Sequence, residues 1–318
     1  MTSPFNQIEQ IISEVEKVIV GKRHVIELSL TALFAGGHVL IEDVPGVGKT
    51  MLVRTLAKSV DVNFKRIQFT PDLLPSDVTG ISVFNPETRE FEFRPGPITG
   101  NIILADEINR TAPRTQAALL EGMAEKSVTV DGVTRPLADP FFVMATQNPI
   151  EYEGTYTLPE AQLDRFLLKI EMGYPSAEEE LALLSEKQSE DTLLEAEAVI
   201  HLTDLLSLKK ASQATQISTE LKQYIVDLVH ATRAHFAVSL GVSPRGTIAM
   251  MMAAKSYAFL KGREFVTPDD IKYLAPFVFE HRLLLTPEAT YQAVKQADVI
   301  QDVLNSVPIP VEKRSSHA

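Results

Sequence analysis

His38-Val39-Leu40-Ile41-Glu42 runs straight into Asp43-Val44-Pro45-Gly46-Val47-Gly48-Lys49-Thr50-Met51. A short apolar run reads as a buried strand, the glycines as a tight loop, and residues 49–60 as the helix that follows. A phosphate-binding loop needs this strand–loop–helix order, because backbone N–H groups and a helix N-terminus then face one anion. The loop residues Pro45, Gly46, Val47, Gly48, Lys49, Thr50 and Met51 would surround the phosphates of a nucleotide. Within it the Lys49 ammonium would reach the β- and γ-phosphates and the Thr50 hydroxyl would bind Mg²⁺. The strict pattern G-x-x-x-x-G-K-[ST] is broken at its first position, where Asp43 stands in place of glycine.

Outward from this stretch, apolar runs and helical patterns alternate, the habit of a parallel sheet covered by helices. Strands are expected at 38–42, 65–70, 101–106, 141–146 and 166–172, and helices at 7–19, 23–36, 49–60, 112–125 and 159–165. Two hairpins interrupt the alternation, 81–93 turning at Asn85-Pro86-Glu87-Thr88 and 128–137 turning at Asp131-Gly132. After Met172 the character changes. Gly-Tyr-Pro ends the last strand, and Ser176 with Glu179 forms a capping box. Runs at 176–190, 202–210, 218–237, 244–261, 267–278 and 287–304 carry apolar residues at three- and four-residue spacing, as in a helical bundle. The expected fold is therefore an α/β parallel sheet of about five strands with two hairpin insertions, followed by an all-α domain. The boundaries are 1–174, 175–311 and a polar, disordered tail at 312–318.

The 318 residues suffice for one large or two moderate domains. Absence of cysteine excludes disulfides, thiolate catalysis and sulfur-ligated metal centres. Neither a signal peptide nor a run of ~20 apolar residues occurs, so a cytoplasmic protein without a membrane span is expected. The formal charge of −12 has the wrong sign for bulk nucleic-acid binding. Residues 176–200 hold eight acids and one lysine, which leaves −5 for the rest and room for a local basic groove. There is no His-Glu-x-x-His pair and no nucleophile elbow, and Mg²⁺ is the one metal expected.

A second strand, Ile102-Ile103-Leu104-Ala105, ends in Asp106-Glu107, 57 residues after Lys49. Two carboxylates at the end of a buried strand are costly unless chemistry uses them. Asp106 would hold the Mg²⁺ hydration shell and Glu107 would polarise a water attacking the γ-phosphate. A third strand ends in Thr146-Gln147-Asn148-Pro149, which puts the neutral amide of Asn148 beside the acids if the two strands are neighbours. Gln68, in the expected strand 65–70, would be able to restrain Glu107.

Strand, phosphate loop, helix, Asp-Glu and Asn, in this order, resemble the AAA+ ATPase superfamily. Pro71-Asp72-Leu73-Leu74-Pro75-Ser76-Asp77, Leu104-Ala105-Asp106-Glu107-Ile108-Asn109-Arg110 and Leu158-Pro159-Glu160-Ala161-Gln162-Leu163-Asp164-Arg165-Phe166 narrow the resemblance to the MoxR family. It extends through Ser243-Pro244-Arg245 and His281-Arg282-Leu283 and covers about residues 5–305. The resemblance implies a helical lid and hydrolysis of Mg²⁺-ATP at the subunit interfaces of a homo-oligomer, a hexameric ring. It implies sensor 1 at Asn148, an arginine finger acting in trans at Arg165, sensor 2 at Arg245, and an adenine-contacting turn at Val20-Gly21. It further implies chaperone-like maturation of partner proteins, often ones with a von Willebrand factor A domain and a metal site. A nucleotide-gated scaffold, a magnesium-chelatase-like subunit and a DNA-acting motor are the rival readings. The hairpins would face a ring's pore with Phe84, Phe91 and Phe93, or else pack those rings against themselves.

Overall fold

The computed structural model describes residues 3–148, 155–178, 180–181 and 196–310, grouped in two compact units, Met1–Lys210 and Ala211–Ala318. Among the described residues no helix is long and apolar enough to cross a membrane. The Ser176/Glu179 capping box, most of the expected helix 176–190, Pro149 and the tail from 312 lie outside the described residues.

In the first unit, α1 (Pro4–Glu16) and α2 (Arg23–Ala35) precede β1 (Val39–Glu42), and α3 (Lys49–Ser59) follows the glycine loop. Then come β2 (Phe64–Gln68), α4 (Pro75–Thr79), β3 (Gly80–Asn85) and β4 (Glu90–Pro95). They are followed by β5 (Ile102–Asp106), α5 (Pro113–Glu125), β6 (Ser127–Val130), β7 (Val133–Pro136), β8 (Phe142–Gln147), α6 (Glu160–Leu163) and β9 (Leu168–Ile170). Five strands form one parallel sheet in the order β2-β5-β8-β1-β9. Its interior strands are buried on both faces, as Leu40, Ile103, Leu104, Val143 and Ala145 show at 0% exposure. Each of these Leu, Ile and Val side chains contributes about 1.5–3 kcal/mol by leaving water. Register aligns the carboxyl ends, with Gln68 opposite Asp106, Ala105 opposite Ala145 and Glu42 opposite Gln147. One row of polar termini results, the edge where open α/β sheets bind ligands.

The two expected hairpins are β3–β4 and β6–β7. At the base of the first, a Cβ on Gly80 (φ +99°) would lie 2.5 Å from the Arg94 carbonyl, and one on Gly96 would collide with the Val78 carbonyl. Glycine at both positions lets the two backbone segments at the base of the hairpin approach closely. Phe84 and Phe91 meet edge to face at 5.5 Å in solvent, whereas Phe93 lies under Arg135 of β7, 4.0 Å from the guanidinium carbon.

The contact division after Lys210 lies C-terminal to residue 174, because the segment from Ala196 packs back onto the sheet unit. Val199 donates to the Ser59 carbonyl (2.9 Å), Glu197 to the Glu14 carboxylate (2.7 Å), and Ala196 and Ile200 are buried. Helix Leu202–Ala214 runs through the division.

The second unit contains Thr219–Ala234, Pro244–Leu260, Pro268–Phe279, Pro287–Tyr291 and Gln296–Ser306 as helices. Ser218 and Ser243 cap two of them through their hydroxyls, and Thr267 with Asp270 forms a capping box on the third. Asp270, buried, also receives both guanidinium nitrogens of Arg263 at 2.5 and 2.8 Å. Two features depart from an all-helical reading. Val238–Leu240 and Leu284–Leu285 pair as a short antiparallel ladder. The expected helix 287–304 is two helices, because Ala293 takes a left-handed φ of +58° and the Asp298 carboxylate accepts Lys295 N–H (2.9 Å) to start the second.

Candidate functional site

The glycine loop is held by the residue that breaks its consensus. Asp43 is 8% exposed, and its Oδ2 accepts Met172 N–H and Gly173 N–H, each at 2.7 Å. Its Oδ1 accepts Val44 N–H at 2.8 Å. The carboxylate therefore ties the loop to the chain leaving β9, which a glycine would leave untethered. Gly46 (φ +88°) and Gly48 (φ +92°) are left-handed, and a Cβ built on either meets nothing within 4 Å. Space at these two positions is thus open toward the site. Gly48 caps α3 with no side-chain acceptor, so the first N–H groups of α3 remain for a ligand. Lys49 Nζ meanwhile donates to the Asp43 carbonyl at 2.9 Å. Burial lowers the Lys49 ammonium from its ordinary value, opposed by the charges of Asp43, Asp106 and Glu107. An incoming polyanion would oppose that burial further.

Asp106 ends β5, and Glu107 turns the chain in a left-handed conformation, φ 56° and ψ 49°. Thr146, one strand over on β8, donates its hydroxyl to Asp106 Oδ1 (2.7 Å) and accepts Glu107 N–H (2.8 Å). Arg66 of β2 pairs with Asp106 Oδ2 at 2.6 Å. Glu107 Oε2 accepts Gln68 Nε2 at 2.9 Å and lies 3.2 Å from Arg110 Nε. Beyond Thr146, Gln147 donates to Glu42 (2.8 Å), whose other oxygen pairs with Lys169 of β9. Asn148 follows, 9% exposed.

These groups converge on a cavity of about 370 Å³ lined by Pro45, Gly46, Gly48, Lys49, Thr50, Met51, Asp106, Glu107 and Asn148. Arg66, Thr146 and Gln147 complete it. The sequence reading had not singled these three out, although Arg66 sits two residues before Gln68 and so shares its face of the strand. Val47 stays outside the lining, as do Val20 and Gly21, which form a turn with Gly21 at φ +75°. Arg165 follows α6, half-buried, and its Nε has no hydrogen-bond partner among the described residues. Arg245 is exposed in the first turn of Pro244–Leu260, in the second unit. One ammonium, a free helix N-terminus, a hydroxyl and two carboxylates around one cavity form a donor set suited to a nucleoside triphosphate with a divalent cation. Thr50 and Asp106 bring a hydroxyl and a carboxylate to it as candidate oxygen ligands.

Comparison with known proteins agrees. A model of the ATPase family associated with various cellular activities (AAA) matches residues 38–168, and an AAA lid domain matches 230–303. "Uncharacterized protein YeaC" of Bacillus subtilis is 58% identical, across 95% of this chain and 94% of its own. "Chaperone MoxR1" of Mycobacterium tuberculosis is 42% identical, across 98% and 84% respectively. A crystal structure of a candidate ATPase from Cytophaga hutchinsonii superposes with a TM-score of 0.91 at 41% identity, covering 97% of this chain and 96% of the other.

Proposed function

We propose that this chain, which belongs to the MoxR family of AAA+ ATPases, binds ATP with Mg²⁺ in the cavity between the glycine loop and Asp106-Glu107 and hydrolyses it. The observation that carries the reading is the convergence of Lys49, Thr50, Asp106, Glu107 and Asn148 on one cavity at the carboxyl edge of a parallel sheet. Lys49 exchanges its Asp43 carbonyl for phosphate oxygens. Thr50 and Asp106 would hold Mg²⁺, which supplies neutralisation of the charge that develops on the phosphate oxygens. Glu107 orients a water in line with the γ-phosphate and takes its proton on Oε2, once Gln68 Nε2 and Arg110 Nε have released that oxygen. Asn148 adds an uncharged hydrogen bond to the same water or phosphate.

Pro45, Gly46, Val47, Gly48 and Met51 complete the phosphate cradle, and the Val20-Gly21 turn contacts the base. Arg165 acts on a neighbouring subunit's nucleotide and Arg245 senses nucleotide from the lid, in a homo-oligomeric ring of six. The name "Chaperone MoxR1" supports work on partner proteins, here proposed as maturation of a partner of the von Willebrand factor A type by a cytoplasmic chain. A second reading, a nucleotide-gated scaffold with little turnover, is favoured by the Gln68 and Arg110 contacts that occupy Glu107.

Steady-state ATPase activity across protein concentration, with light scattering for mass, separates the two. Specific activity that rises with assembly, together with an R165A variant that assembles but is silent, supports the ring ATPase. Activity independent of concentration, or an R165A chain as active as the parent, removes the shared site.

A further inference from the structure

Asp106 is the carboxylate assigned to the cation, yet a cation of the chain already occupies it. Arg66 Nη2 lies 2.6 Å from Asp106 Oδ2, and Asp106 Oδ1 is taken by Thr146. The two partners differ in freedom, since the Asp106 side chain is 13% exposed and that of Arg66 is 48% exposed. Thr146 fixes the carboxylate, so in any exchange the arginine is the group that leaves. β2 is also the edge strand of the sheet, so Arg66 has solvent to move into.

The same nitrogen donates to Gln68 Oε1 at 2.6 Å. Because a guanidinium only donates, it fixes the oxygen of the Gln68 amide toward itself and the NH₂ toward Glu107. Arg66 thus stands at the head of a chain of contacts that runs to both carboxylates of the site.

We propose that Arg66 is the resident counter-ion of the magnesium site: the divalent cation must displace it from Asp106, and its departure frees the Gln68 amide that holds Glu107. This inference rests on the Mg²⁺-ATP reading and adds a regulation to it, a threshold of divalent-ion concentration below which the site stays closed. A guanidinium and a hydrated dication drawn to the same carboxylate repel each other at this distance, so the two compete. Removing a unit charge this close to the site should tighten a dication by about tenfold, by Coulomb's law at near-aqueous dielectric.

The test is titration of Mn²⁺ into the full chain with a non-hydrolysable ATP analogue, read as loss of the free-Mn²⁺ electron paramagnetic resonance signal. R66Q should bind Mn²⁺ about tenfold more tightly than the parent, and R66K, which keeps the charge, should stay near the parent. In parallel the Mg²⁺ concentration for half-maximal ATPase activity should fall in R66Q and not in R66K. Mn²⁺ binding by R66Q equal to or weaker than the parent's overturns the inference, and so does an R66K as tight as R66Q. D106N separates the two levels of argument. If it loses Mn²⁺ binding in both backgrounds, the metal reading stands and the Arg66 comparison decides; if it binds like the parent, the metal reading falls and the inference with it.

Discussion

Replacing Asp43 by glycine would restore the strict phosphate-loop pattern, and it should destabilise the protein. The carboxylate accepts three backbone N–H groups, two of them from Met172 and Gly173 far along the chain. Met172 is 3% exposed, so its N–H gains little water in exchange. Hydrogen bonds to a charged acceptor contribute about 1.5–3 kcal/mol each; the two long-range ones at the lower bound give about 3 kcal/mol, and with the added unfolded-state entropy of glycine D43G should lose about 3–4 kcal/mol. D43N, which keeps one acceptor oxygen, should lose roughly half of that. Urea unfolding followed by circular dichroism measures the loss, and hydrogen exchange at the Met172 and Gly173 amides localises it, with rates rising about a hundredfold for 3 kcal/mol. Lys49 binds the carbonyl of residue 43 rather than its side chain, so that contact survives the substitution. Stability within about 0.5 kcal/mol of the parent and unchanged exchange at both amides would refute the argument.

G48A should cost about 1–2 kcal/mol through its φ of +92° alone, since its Cβ meets nothing, and should shrink the rise in melting temperature that ATP confers; thermal scans with and without nucleotide check both. Glu14 is buried, and although burial raises its pKa, the Lys17 hydrogen bond, the Glu197 N–H and nearby lysines lower it below the ordinary 4.5 on balance. Its contribution is therefore complete above that value and lost as pH falls through the lower folded-state value, so the gap in urea midpoint between parent and E14Q should be present at neutral pH and close in acid. R263A leaves the buried Asp270 carboxylate without its two guanidinium bonds and should cost about 3 kcal/mol, with R263K recovering only part because an ammonium cannot bond it as a fork; denaturation midpoints of the three chains decide.

The sheet was legible because buried parallel strands are short continuous apolar runs, and β1, β5 and β8 announce themselves that way. Asp131-Gly132 and Asn85–Thr88 announced the hairpins through turn chemistry. Strand order was not legible locally. That β2 lies beside β5 and β5 beside β8 follows from tertiary packing, and only this order brings Arg66 and Thr146 onto Asp106. The ladder at Val238–Leu240 was missed because strands of two and three residues carry no period. The break at Ala293 was missed because alanine is the best helix former, and tertiary context overrides that preference. Asp43 read as a defect in a motif when its partners lie 129 and 130 residues away, beyond the reach of any local pattern.

Glu42 sits at the end of β1 and is gripped from both sides, by Gln147 of β8 and Lys169 of β9. Side chains thereby lace together three neighbouring strands at the carboxyl end of β1, where Glu42 and Gln147 form the last pair of their ladder. In mechanical terms this rim is a stiff plate rather than three independent fingers. A push delivered at the glycine loop is shared with the strand that leads to Asn148 and with the one that follows Arg165, instead of being absorbed by local bending. The compliance needed for any working stroke must then reside outside this rim.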